Sequence, residues 1–134
     1  MKPMQAFHAA MGILQYISVL TQTDSAKALL EMENIIATDA KASLLYALKI
    51  KKPFPAGETA IAIDPECARI YATDVLHGRF LPGEPVIATS DKDSYYYARY
   101  ALKAPFPAGE KMIYENEEYL DIYLEKVLGR QSNI

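Results

Sequence analysis

Three glutamates, Glu58, Glu84 and Glu110, recur at one constant interval along the chain. Such a column is the first arrangement in the chain that could hold a cation or a basic ligand. Each glutamate opens a short apolar segment, where a helix dipole already rewards a carboxylate by a few tenths of a kcal/mol up to about 1 kcal/mol. Helical units packed at about 10 Å would also keep the three too far apart to share one ion, so the column reads as structural. His8 has no second His, Cys or carboxylate at ligand spacing, and reads as a structural or solvated side chain. Cys67 is the single cysteine, which excludes an intramolecular disulfide framework and a multi-cysteine metal centre. No Gly-rich phosphate loop, nucleophile elbow, HExxH or paired His and Cys pattern occurs, so an enzyme is the weak hypothesis and no cofactor or metal is implied.

The densest aromatic cluster is Tyr95, Tyr96, Tyr97 and Tyr100, and one helix cannot turn all four into the same core. Tyr97 belongs to a framework column described below, and Tyr96 and Tyr100 share a flank. Tyr95 is expected to face outward beside Arg99, with Lys92 on the same side, a composition enriched at binding hot spots. With Arg69, Asp121 and Glu125 on the corresponding side of other copies, these are the candidate partner-binding residues. Glu115, Glu117, Glu118, Asp121 and Glu125 make the last helix acidic, which suits a solvated capping face or a surface for a basic partner.

The elements that must position these side chains repeat. Phe54, Phe80 and Phe106 keep the interval of the glutamates, as do Gly57, Gly83 and Gly109, and Ile61, Ile87 and Ile113. Tyr46, Tyr71, Tyr97 and Tyr123 follow at spacings of 25, 26 and 26. A fixed period of this length indicates stacked supersecondary units. Counting from the central tyrosine, offsets of −3, 0, +1 and +4 form one helical stripe, which is the expected core. The residues two before and two after the tyrosine diverge: Leu44 and Leu48, Arg69 and Thr73, Tyr95 and Arg99, Asp121 and Glu125. They are expected to face solvent, a neighbouring element or a partner, with the N-terminal helix covering Leu44 and Leu48.

Helix starts are expected at Asp39, at Asp64 followed by Pro65 and Glu66, at Ser90 with Asp93 completing a capping box, and at Asn116. Gly78 is the expected left-handed stop of its helix. The phrase PFPAGE, at Pro53–Glu58 and Pro105–Glu110, reads as a turn with an aromatic anchor and a glycine at the entry of a short helix. Met4–Leu20 is expected as a capping helix, Ala26–Ala37 as a second helix whose Glu33-x-x-Ile36 end matches the repeat, and Gly129–Ile134 as a frayed end.

At 134 residues and a net charge of −3, the chain is about one domain with no electrostatic footprint for nucleic acid. No apolar run approaches the roughly 20 residues needed to cross a bilayer, and the first twenty residues lack the cationic start and cleavage pattern of a signal peptide, so a cytoplasmic location is expected.

The stretch Asp64–Glu84 resembles the short DPExAxxYAxxVLxGRFxxxE-type repeats of proteins encoded by bacteriophages and large DNA viruses. Asp64, Pro65, Glu66, Ala68, Tyr71, Ala72, Val75, Gly78, Arg79, Phe80 and Glu84 match it. The other copies match in part, with PFP in place of GRF around Phe54 and Phe106, and residues 1–32 match poorly. The resemblance implies a viral or prophage source and an α-helical array, and no activity.

The expected fold is therefore all-α: a short solenoid of about four helical-hairpin repeats, with a period of 25–26, behind an N-terminal capping helix. Residues 1–37 form the cap and a degenerate repeat, 38–113 three repeats and 114–134 a half-repeat. The expected function is a non-enzymatic protein-binding module, in its leading form a phage-encoded inhibitor or modulator of a host or defence protein in the host cytoplasm. The alternatives are an assembly protein that forms homo-oligomers, and a small-molecule-binding sponge or hydrolase using the Tyr-rich groove.

Overall fold

The computed structural model describes residues 1–16 and 22–129 of the chain. Every element among them is helical, and no strand occurs among the described residues. Two longer helices come first, α1 (Pro3–Tyr16) and α2 (Gln22–Ile36), packed against each other. The expected end of the first helix at 17–20 and the tail at 130–134 lie outside the described residues. α2 begins earlier than the Ala26 start read from the sequence.

Three segments then share one plan, a long helix followed by a 3₁₀ turn and a helix of four or five residues. The first is α3 (Ala40–Ile50), the turn Pro55–Gly57 and α4 (Glu58–Ile61). The second is α5 (Pro65–Ile70) continued without a break by a π turn (Tyr71–Leu76), then Leu81–Gly83 and α6 (Glu84–Ile87). The third is α7 (Asp91–Tyr96) with its π turn (Tyr97–Leu102), then Pro107–Gly109 and α8 (Glu110–Tyr114). The last described helix is α9 (Glu117–Lys126). Long helices meet in chain order, α3 with α5, α5 with α7 and α7 with α9.

The starts are capped by the residues that the sequence marks. Asp39, Asp64, Ser90 and Asn116 each hold extended backbone and accept a hydrogen bond from a first-turn N–H. Each such cap stabilises its helix by about 1 kcal/mol. The capping box at Ser90 closes on one side only. Asp93 gives its N–H to Ser90 Oγ, but its carboxylate turns to Arg69, and the Ser90 N–H is taken by the Ile87 carbonyl.

The stops differ from expectation. The left-handed residue that ends the second long helix is His77, with φ of 54°, and not Gly78, whose N–H instead bonds the Ala72 carbonyl. Lys51 and Lys103 hold the same conformation at the ends of the first and third. In each case the terminal N–H groups converge on the alanine just after the framework tyrosine: Lys51 on Ala47, His77 on Ala72 and Lys103 on Ala98. The first of these spans four residues and the other two span five, which is the π turn. Nothing in the structure requires glycine at 78.

The core is the expected stripe. Tyr46, Tyr71, Tyr97 and Tyr123 are buried, with Ala47, Ala72 and Ala98 beside them, and Ser43, Ala68 and Ser94 at offset −3. Phe54, Phe80 and Phe106 meet the tyrosine of their own segment edge to face, with ring centroids 4.9, 5.1 and 5.0 Å apart. The glycines allow close approach: a Cβ on Gly83 would stand 2.6 Å from the Phe80 ring and 2.8 Å from Ala68 Cβ. Gly57 and Gly109 press in the same way on Ser43 and Ser94, whose hydroxyls donate to the Ile36 and Ile87 carbonyls.

Candidate functional site

The glutamate column has a defined partner. Tyr71 Oη donates to Glu58 Oε2 at 2.6 Å and accepts from the Phe54 N–H at 3.0 Å. Tyr97 does the same with Glu84 and the Phe80 N–H, and Tyr123 with Glu110 and the Phe106 N–H. Tyr46 donates to Glu33 at 2.7 Å. Burial first, and the glutamate hydrogen bond second, push all four phenols well above the ordinary value of 10.0. The column thus fastens consecutive segments to each other, and Arg79 adds a two-pronged contact to Glu84 at 2.7 and 3.0 Å.

The residues singled out for partner contact divide into three groups. Arg69, Tyr95 and Arg99 come together on the side where α5, α7 and α9 meet, but Tyr95 does not face outward. It is 2% exposed, its ring lies 5.5 Å from Tyr119 of α9, and its hydroxyl accepts from Arg99. On α3, α5 and α7 the residue two before the tyrosine lies in the seam with the next long helix and is covered by it, whereas α9 has no later helix beside it among the described residues. Arg69 is mostly buried in the preceding seam, between α5 and α7, and pairs with the buried Asp93 at 3.0 Å. Lys92 is exposed on the first turn of α7. Asp121 and Glu125 are exposed on α9, with Glu125 beside Lys126.

What faces solvent instead is Tyr100, 45% exposed, stacked on the half-buried Tyr96 at 5.9 Å and an interplanar angle of 18°. Arg99 lies over the Tyr100 ring at 4.9 Å, and Arg69 over the Tyr96 ring at 5.2 Å. Two guanidinium groups over two stacked phenols bring apolar ring surface and hydrogen-bond donors together. The i, i+4 spacing of Tyr96 and Tyr100 carried that signal in the sequence, while the pairing of Arg69 with Asp93, one unit further along the chain, shows only when neighbouring copies are compared position by position.

A second feature is a half-open groove of about 420 Å³ between α3 and α5, lined by Lys41, Leu44, Leu45, Leu48, Asp64, Glu66, Cys67 and Ile70. Leu48 and the buried Leu44 stand in it, and none of the residues lining it belongs to α1, which packs on α3. Met11 and Leu14 of α1 line another groove, with Glu33, Tyr46 and Ile50. Burial, and then Asp64, Glu66 and Asp39 in turn, push the Cys67 thiol up to about 12. His8 is exposed and meets Phe7 edge to face. No group of three or more metal-ligating side chains occurs among the described residues, and none of their helices is long and apolar enough to cross a membrane. No family model matches the chain, and neither a curated protein nor a solved structure is detectably similar to it.

Proposed function

We propose that the chain is a non-enzymatic protein-binding module whose hairpin units stack as a short solenoid. Its contact surface is the arginine–tyrosine cluster of Arg69, Tyr96, Arg99 and Tyr100, with Lys92 at its edge and Asp121 and Glu125 extending it in acidic character. The observation that carries this reading is the pre-stacked pair of exposed Tyr100 and half-buried Tyr96, with Arg99 and Arg69 over the rings. Aromatic and arginine side chains held rigid on a helix lose little freedom on docking, which is why they dominate binding hot spots. The resemblance of the Asp64–Glu84 unit to viral repeats extends the proposal to an inhibitor or modulator of a host or defence protein, working in the host cytoplasm by occupying a surface of its target.

The test is affinity capture from host lysate with the native chain, Tyr100→Ala with Arg99→Ala, and a control, Asp74→Ala, on an exposed site elsewhere. A specific partner retained by the native chain and the control, and weakened about tenfold or more by the double variant at unchanged melting temperature, supports the proposal. Equal retention by all three removes the cluster from the interface. Concentration-dependent self-association in light scattering, abolished by the same pair, replaces the reading with homo-oligomer assembly.

A further inference from the structure

The seams between successive long helices are built from the same offsets. A residue two before the framework tyrosine meets residues four and one before it on the next helix. Between α5 and α7 these are Arg69 against Asp93 and Tyr96. Between α7 and α9, Tyr95 meets Tyr119. Between α3 and α5 the same places hold Leu44, Cys67 and Ile70, which lack the ring or guanidinium that closes the other seams. The groove of about 420 Å³ stands there, within the size range of small-ligand sites. Its walls are Leu44, Leu45, Leu48 and Ile70, and its rim carries one cation, Lys41, against two carboxylates, Asp64 and Glu66.

We propose that this groove is a binding site for a small arylalkylammonium compound. The ring occupies the volume that tyrosine and arginine side chains fill in the two neighbouring seams, and the ammonium lies toward Asp64 and Glu66. The carboxylate majority at the rim selects a cation over an anion of the same shape, and the Cys67 thiol, raised first by burial, is raised further by Asp64 and Glu66. This site is independent of the protein-binding surface proposed above.

Titration of ¹⁵N-labelled full chain with tyramine, followed by amide chemical shifts, tests it. The expected result is saturable shifts clustered at Leu44, Leu48, Cys67 and Ile70. 4-Hydroxyphenylacetate, which carries the same phenol and a carboxylate in place of the ammonium, should bind about fivefold or more weakly. Cys67→Tyr, which places in the groove the ring that Tyr119 supplies at the same offset, should abolish the tyramine shifts. Glu66→Lys, at an exposed position, should weaken tyramine about fivefold and decides the matter if Cys67→Tyr does not fold. Absence of saturable shifts at these amides, equal affinity for the two probes, or undiminished binding to a folded Cys67→Tyr chain overturns the proposal.

Discussion

Replacing Tyr97 with phenylalanine keeps a fully buried ring in place and deletes one oxygen that serves two groups. The lost bond to Glu84 has an ionised acceptor, a class that contributes about 1.5 to 3 kcal/mol. The Phe80 N–H, now unpartnered in the interior, adds a desolvation cost of about 1 to 3 kcal/mol, while Glu84 keeps its two bonds from Arg79. The expected loss is about 3 kcal/mol, or about 10 °C in melting temperature for a chain of this length. The same substitution at Tyr46 is the internal control. Its hydroxyl bonds Glu33, the residue 17 before it is Leu29 inside α2, and Glu33 and Tyr46 border an open groove with Lys49 and Lys52. No backbone N–H is stranded there and water can replace the phenol, so Tyr46→Phe should cost about 1 kcal/mol. Urea unfolding reads both as midpoint shifts at unchanged slope, and exchange of the Phe80 amide should accelerate in Tyr97→Phe alone. Equal losses in the two variants, or a Tyr97→Phe loss under about 0.5 kcal/mol, would refute the claim that the hydroxyl fastens one segment to the next.

Gly109→Ala should cost about 1 to 3 kcal/mol, because its Cβ meets Ser94 and the Phe106 ring, whereas Gly12→Ala in α1 meets nothing and should stabilise by about 0.5 to 1 kcal/mol; thermal melts of the pair check both. Arg69→Ala strands the buried Asp93 carboxylate and should cost about 2 to 3 kcal/mol, discounted for the partial exposure of Arg69, with Asp93→Ala added to Arg69→Met recovering much of it in urea titrations. The four framework phenols have folded values raised above the ordinary 10.0, so their contribution is fully present below about pH 10 and falls as pH rises beyond it. Urea midpoints measured from about pH 9 to about pH 11 should decline, and less steeply in Tyr71→Phe. Deleting Asp74, an exposed residue of the Tyr71–Leu76 π turn, should leave a folded chain by circular dichroism, whereas deleting Ala68 from α5 shifts the core stripe and should unfold it.

The framework was legible because it recurs. Tyrosine, phenylalanine, glycine and isoleucine columns mark the core, and the caps Asp39, Asp64, Ser90 and Asn116 mark the helix starts. Tyr95 was misplaced because divergence within one chain has two physical sources. A residue facing water is free to vary, and so is a residue facing the next copy, provided that its opposite number varies with it. Leu44 stands by Cys67 and Ile70, Arg69 meets Asp93 and Tyr96, and Tyr95 meets Tyr119. Tested as pairs one period apart, these offsets show matched chemistry: apolar with apolar, cation with anion, ring with ring. Tested singly they look like surface. Gly78 misled for a different reason, since a left-handed helix end lies within reach of other residues when the turn before it satisfies its N–H groups, and His77 is held there by the Ala72 carbonyl.

The irregular spacing of the tyrosines carries the same logic to the backbone. Glutamate to tyrosine is always 13 residues, and phenylalanine to the next tyrosine always 17 where the bond forms, because both distances cross the seam between segments and are pinned by hydrogen bonds at each end. Tyrosine to phenylalanine within a segment is eight residues from Tyr46 and nine from Tyr71 and Tyr97. That stretch holds only the end of the long helix, so an extra residue there widens the final turn from four-residue to five-residue closure while the alanine carbonyl keeps its role as acceptor. The seam fixes what cannot change length, and the π turn is where the chain absorbs what can.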